Sequence, residues 1–124
     1  MGNYAKAALA AHRLITKDGL TPLDAWNRAI SLLTSSPTAR KKVCPRTTFL
    51  TLAENGYLEG VEAQASFNRG GVLRERAIEA ARLMLSNPDA THRFLSEKLE
   101  YVDRQGSYDI VIELAKNKIL KLAK

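Results

Sequence analysis

A hydrophobic phrase occurs twice in the chain, and this repeat constrains the fold more than any other feature. The stretch CPRTTFLTLAENGYLEGV begins at Cys44, and its core returns sixty-two residues later as YDIVIELAKNKILKL. With Phe49 aligned to Val111, the identical pairs are Leu52 and Leu114, Ala53 and Ala115, Asn55 and Asn117, and Leu58 and Leu120. The repeat predicts a duplicated helical unit. The alternative is that two amphipathic helices look alike by chance, because Leu and Ala are common helix formers.

Apolar residues recur at helical spacing in six segments of the chain. These segments are residues 3–17, 22–35, 44–55, 72–85, 91–102 and 107–122, and residues 36–43 read as a polar, basic loop. The first helices of the two halves, YAKAALAAHRLI and RERAIEAARLML, also echo each other. We therefore expect an all-α fold of about six helices, in two similar three-helix units at residues 3–61 and 72–122. Residues 1–124 would form a single domain, with a very short extended piece at residues 57–61.

The phrase LAENGYLEG ends the third predicted helix, and the unit up to this point resembles a helix-turn-helix or winged-helix arrangement. In such folds the third helix enters the major groove of DNA, so the resemblance implies that PRTTFLTLAEN is a recognition helix. Its apolar residues would face inward, leaving Arg46, Thr47 and Thr51 on the outer side. Two features oppose this interpretation: the preceding loop is longer than the usual tight turn, and Asp109 and Glu113 on the second unit would repel phosphate. The alternative is a three-helix unit that serves packing alone.

The positive charge of the chain points to a polyanionic partner. The formal net charge is +6, and Arg40, Lys41, Lys42 and Arg46 form a cluster without an acidic residue. Clustered cations gain affinity for phosphates by releasing counterions, although a run of charge also occurs as a merely solvated loop. The candidate nucleic-acid-binding residues are Arg40, Lys41, Lys42, Arg46, Thr47 and Thr51.

No pattern in the sequence predicts catalysis. Cys44, the one cysteine, stands at an expected helix N-cap, where the thiolate is favoured, but neither His12 nor His92 belongs to a motif that would bring a base to it. We expect a structural or incidental cysteine, with a redox-sensitive thiol as the alternative. One cysteine and two distant histidines predict no metal site, and no cofactor motif is present. Residues 68–71, NRGG, predict a linker rather than a nucleotide site.

The start of the chain and its cysteine content indicate a compartment. The first residues lack the continuous apolar region of a signal peptide, no apolar run approaches the length of a membrane span, and a single cysteine agrees with a reducing environment. We expect a soluble cytosolic protein with no membrane association.

Five phrases spread over most of the chain are similar to a family of small uncharacterised bacterial proteins: MGNYAKAA, TPLDAWNRAI, CPRTTFL, ENGYLEG and the final hydrophobic unit. The resemblance implies a cytosolic bacterial protein of unknown function, with no catalytic or binding residues to carry over.

The sequence as a whole predicts a non-enzymatic binding module. Nucleic acid is the first expected partner, bound through the basic loop and the third helix. The rival interpretation is a protein-interaction or homodimeric module, in which the positive charge only aids solubility. A large exposed apolar patch would favour the rival interpretation.

Overall fold

The helices of the chain follow the predicted order. In a computed structural model that describes residues 2–64 and 71–123, they are α1 (Asn3–Asp18), α2 (Pro22–Leu33), α3 (Pro37–Arg40), α4 (Val43–Glu54), α5 (Val72–Ser86), α6 (His92–Leu99) and α7 (Ser107–Lys116). Six are full helices, α3 is a single turn, and the described residues form no β-sheet. The all-α prediction is confirmed. The NRGG linker prediction falls almost entirely outside the described residues.

Local capping explains where the helices begin and end. Thr21 caps α2 as predicted, because its hydroxyl accepts the backbone N–H of Asp24 at 3.2 Å. Ser36 caps α3 in the same way, so the predicted loop contains a helical turn. The prediction that the last helix reaches residue 122 is wrong: α7 ends at Lys116, and Lys118 adopts a left-handed conformation with φ 58°.

The buried apolar side chains form one cluster drawn from both halves of the chain. Trp26 of α2 stacks between Tyr4 of α1 and Phe49 of α4, with ring centroids 6.5 and 5.4 Å away. Helix α4 is packed by α2, α5 and α7. Because it is covered on these sides, Thr51 is fully buried. The prediction that Thr51 faces outward is therefore wrong.

The ends of α4 and α7 are joined by a short antiparallel bridge between Leu58 and Leu120. The Glu59 N–H donates to the carbonyl of Ile119 at 2.7 Å, and the Lys121 N–H donates to the carbonyl of Tyr57 at 2.9 Å. The bridged residues, Leu58 and Leu120, are a pair that the sequence repeat aligns. Of the short extended piece predicted at residues 57–61, only Leu58 forms a bridge, and Glu59 and Gly60 form a turn.

Equivalent residues before the bridge also have the same geometry. The side-chain amides of Asn55 and Asn117 donate to the carbonyls four residues earlier, at 2.7 and 2.8 Å. Gly56 and Lys118, the next equivalent pair, both have positive φ, 85° and 58°. The two helix ends are thus built alike, while the duplication of whole units stays a prediction.

The left-handed conformations of Gly56 and Lys118 predict different effects of substitution on stability. A Cβ on Gly56 would lie 3.3 Å from the Cβ of Ala63 in a conformation that side chains rarely adopt. We expect Gly56→Ala to lower the free energy of unfolding by about 1–2 kcal/mol. Lys118→Gly should not lower the free energy of unfolding, because glycine adopts the left-handed conformation of this position more readily than lysine does. Urea denaturation of both variants measures this, and an equal loss in both would contradict it.

Candidate functional site

The first turns of three helices meet at a narrow cleft. Its lining residues are Cys44, Thr48, Leu73, Arg76, Ala77, Ala80, Tyr101, Asp103, Ser107, Tyr108 and Val111. They come from the beginnings of α4, α5 and α7 and from the loop before α7. The cleft is narrow and has room for about one water molecule. Helix N-termini each carry partial positive charge, so their convergence favours anions at this end of the molecule.

Asp103 neutralises one of these helix starts. One carboxylate oxygen accepts the N–H of Gln105 at 3.1 Å, and the other accepts the N–H groups of Gly106 and Tyr108 at 3.1 and 3.0 Å. The carboxylate is therefore committed to the N-terminus of α7. By contrast, Lys42 and Gly71 stand at the N-caps of α4 and α5 without a side-chain cap. The first amides of α4 and α5 therefore receive no side-chain acceptor from their N-caps.

Tyr108 forms the buried wall of the cleft. Its hydroxyl donates to the carbonyl of Tyr101 at 2.7 Å, and its ring meets His92 edge-on at 5.1 Å between centroids. Burial raises the pKa of the Tyr108 phenol above its ordinary value of 10.0, and the nearby positive charge of Arg76 partly opposes this. The phenol is therefore neutral at physiological pH, and its hydrogen bond fixes the Tyr101 backbone.

Arg76 lies over the face of the Tyr101 ring, with its guanidinium carbon 3.5 Å from the ring centroid. Three other arginines of α5 and α6 have carboxylate partners: Arg74 with Glu54, Arg82 with Glu79, and Arg93 with Glu97. Among the described residues, no carboxylate lies within ion-pair distance of Arg76. Its charge is thus held at the cleft by an aromatic ring.

The predicted binding residues divide into two groups. Lys41 and Lys42 are exposed, and Arg46 and Thr47 are half-buried on the first turns of α4. These four residues are not among the residues that line the cleft, but they are within three positions of Cys44, which does line it. The structure therefore brings this part of the candidate set to the end of the molecule where the helix starts converge.

Two of the predicted nucleic-acid-binding residues form hydrogen bonds within the fold. The Nε of Arg40 donates to the carbonyl of Thr34 at 2.9 Å, and a terminal nitrogen donates to the carbonyl of Ser31 at 3.3 Å. Arg40 therefore stabilises the end of α2. The buried hydroxyl of Thr51 accepts a hydrogen bond from Arg74 at 3.4 Å. Thr51 cannot reach a base edge, and Arg40 offers only part of its guanidinium to a ligand.

Sequence reasoning missed two cations at this end. Arg76 lines the cleft, and Arg104 is exposed in the loop between Asp103 and Ser107, both of which also line it. Neither belongs to a run of charge, so only the packing of α5 and α7 against α4 places them here. We call Lys41, Lys42, Arg46, Arg76 and Arg104 the basic end. Exposed Glu75 and Glu100 lie close to it in sequence and reduce its net charge.

Exposed apolar side chains border the same cleft. Val43, Val72 and Val102 are 52%, 65% and 56% exposed. Each is the immediate sequence neighbour of a residue that lines the cleft. The surface at the basic end therefore combines positive charge with apolar contact area.

Neither histidine of the chain lines the cleft beside Cys44. Cys44 is half-buried, and the cleft lining contains no histidine. The Nε2 atoms of His12 and His92 lie 2.7 and 3.1 Å from the carbonyls of Glu59 and Asp103. Within residues 2–64 and 71–123, no group of three metal-ligating side chains comes together, and no helix has the length and apolarity to cross a membrane.

The three-bond cap of α7 predicts a large effect for a small change. Asp103→Asn replaces one acceptor oxygen by a donor, which leaves at least one backbone N–H without its partner. We expect the free energy of unfolding to fall by about 1–3 kcal/mol. Asp109→Asn, on the exposed face of the same helix, should change it by less than about 0.5 kcal/mol. Chemical denaturation measures both, and equal effects would refute the capping role.

The raised pKa of Tyr108 predicts a loss of stability in alkali. Above pH 10 the unfolded chain releases the phenolic proton more readily than the folded protein, so stability present at lower pH is lost as pH rises. The free energy of unfolding should fall by up to about 1.4 kcal/mol per pH unit for this group. Tyr108→Phe should show a shallower fall in denaturation between pH 9 and 11. An unchanged slope would show that Tyr108 is not responsible.

Comparisons with known proteins place the chain in a family without supplying an activity. A protein-family model matches residues 1–121, and its description is that of a family of unknown function. No curated protein and no solved structure matches the chain.

Proposed function

Because the chain belongs to the family of unknown function DUF6979, we propose its role from its own geometry: a non-enzymatic module that binds the phosphate backbone of nucleic acid through the basic end. The observation that carries the proposal is a cleft at the starts of three helices that is lined by Arg76, with Lys41, Lys42 and Arg46 within three residues of the lining residue Cys44. Phosphates are bound by Lys and Arg side chains and by helix N-termini alike.

The proposal differs from a helix-turn-helix mechanism. A recognition helix needs a free face to enter the major groove, whereas α4 is packed by three other helices and buries Thr51. The accessible polar side chains of α4 are Arg46 and Thr47, near its start. Phosphate contacts position a protein on nucleic acid without reading sequence. We therefore propose binding with little sequence preference.

The cellular setting completes the proposal. A single cysteine agrees with a reducing compartment, and the resemblance described above implies a bacterial cytosol. We place the module there, as one domain built of two related three-helix units.

The experiment is fluorescence anisotropy of labelled nucleic acid at several salt concentrations. The test variant is Lys41→Gln, Lys42→Gln, Arg46→Gln, which removes three charges from the basic end. We expect at least tenfold weaker binding at low salt and a smaller salt slope, because each lost phosphate contact lowers the slope by about 0.9 on a duplex.

A matched control removes the same charge elsewhere. Arg13, Lys17 and Lys116 are exposed near the C-terminal ends of α1 and α7, away from the cleft. Changing these three to glutamine should leave most of the affinity intact. Equal losses in the two triple variants would show that only net charge matters. The absence of binding at low salt would refute the proposal.

A second candidate, a protein-interaction module, is favoured by the three exposed valines. A second copy docked through the same end would bring like charges together, so this candidate takes an acidic protein segment rather than a homodimer partner. Polyglutamate serves as the probe in the same assay. The second candidate would be supported over the first by two results together. Polyglutamate would bind as tightly as nucleic acid of equal charge, and the double variant Val43→Thr, Val72→Thr would bind polyglutamate more weakly.

A further inference from the structure

The stacked pair of Arg76 and Tyr101 is the most specific feature of the basic end. Flexible cations such as Lys41 and Lys42 suit any phosphate, but the planar guanidinium of Arg76 is held over a ring, with its carbon 3.5 Å from the centroid. Nucleic-acid bases stack on aromatic rings and on arginine planes. Arg76 can therefore offer a base a stacking surface as well as a positive charge.

The structure holds both members of this pair in place. The Tyr101 carbonyl accepts the Tyr108 hydroxyl at 2.7 Å, and the Tyr101 N–H donates to the carbonyl of Ser96 at 3.2 Å. Arg76 projects from α5 and is half-buried against the ring. Because both residues line the cleft, the pair lies beside the starts of α4 and α7.

The guanidinium of Arg76 is also available to a ligand. Among the described residues no carboxylate lies within ion-pair distance of it, in contrast to Arg74, Arg82 and Arg93. The one buried acid at the cleft, Asp103, is committed to three backbone N–H groups. The free N–H groups of Arg76 can therefore donate to a phosphate or a base edge while its face supports stacking.

Resting on the proposed function, we infer that the partner is single-stranded nucleic acid, with one base stacked on the Arg76–Tyr101 pair and the adjoining phosphates at Lys41 and Lys42. A base inside a duplex cannot reach such a platform without leaving the stack, whereas a single strand presents its base faces freely. The stacking surface of Arg76 and Tyr101 thus favours unpaired strands over duplexes.

The test compares a labelled oligothymidylate with a duplex of equal phosphate number, in wild type and in Arg76→Lys. The variant keeps the charge and removes the plane. We expect single-strand affinity to fall about five- to tenfold while duplex affinity changes less than twofold, because one stacked base is worth about 1–3 kcal/mol. Arg82→Lys on the same helix is the matched control and should bind as wild type does.

A spectroscopic readout separates stacking from a structural role. Strands carrying 2-aminopurine at successive positions should lose fluorescence on binding at one position, and this quenching should disappear in Arg76→Lys and in Tyr101→Leu. Denaturation midpoints establish that each variant folds. Arg76→Lys is the milder of the two and keeps the test decisive if Tyr101→Leu is unstable.

The outcomes distinguish this inference from the function on which it rests. Loss of single-strand affinity and of quenching in Arg76→Lys supports the inference. Equal binding of duplex and single strand, or wild-type single-strand affinity in Arg76→Lys, overturns it and leaves the phosphate-binding proposal standing. No binding of either nucleic acid at low salt, or binding of polyglutamate alone, overturns both.

Discussion

The bridge between Leu58 and Leu120 sets the arrangement on which the rest of the molecule depends. Two reciprocal hydrogen bonds tie the C-terminal end of α4 to that of α7. Since the first turns of both helices line one cleft, the pair runs in the same direction with both N-termini at the far end. Helix dipoles aligned in this way would accumulate positive charge at one place. The buried carboxylate of Asp103 caps the start of α7, whereas the N-cap residues of α4 and α5, Lys42 and Gly71, provide no side-chain cap.

Uneven neutralisation explains why this end suits anions. Five basic side chains lie close in sequence to the helix starts and add charge of the same sign: Lys41, Lys42, Arg46, Arg76 and Arg104. Such an arrangement costs stability through repulsion among like charges. A fold that served packing alone would gain by placing a carboxylate in the first turn of α4, as it does with Glu75 in α5 and Asp109 in α7. The retained charge and the exposed valines around it are therefore more readily explained by a partner than by the fold.

The sequence predicted the fold where local rules decide it. Apolar periodicity located the six full helices, and Thr21 marked the start of α2, because helix spacing and capping depend on neighbouring residues. The repeat also aligned Leu58 with Leu120, the two residues of the bridge, although Leu120 was expected to lie in the last helix. Prediction from sequence failed where tertiary packing determines which side of a helix is buried. Thr51 follows the pattern of an outer residue on an isolated helix, but α5 covers it and places Arg74 on its hydroxyl.

The candidate site shows the same division. A charge run identified Lys41, Lys42 and Arg46, because neighbouring cations are visible in a sequence. It also included Arg40, whose guanidinium turns back to the carbonyls at the end of α2. No sequence pattern could join Arg76 to Tyr101, which are separated along the chain and meet only because α5 packs beside the loop before α7. The charge that attracts a polyanion was therefore readable from sequence, while the planar group that would select among polyanions arises from the fold.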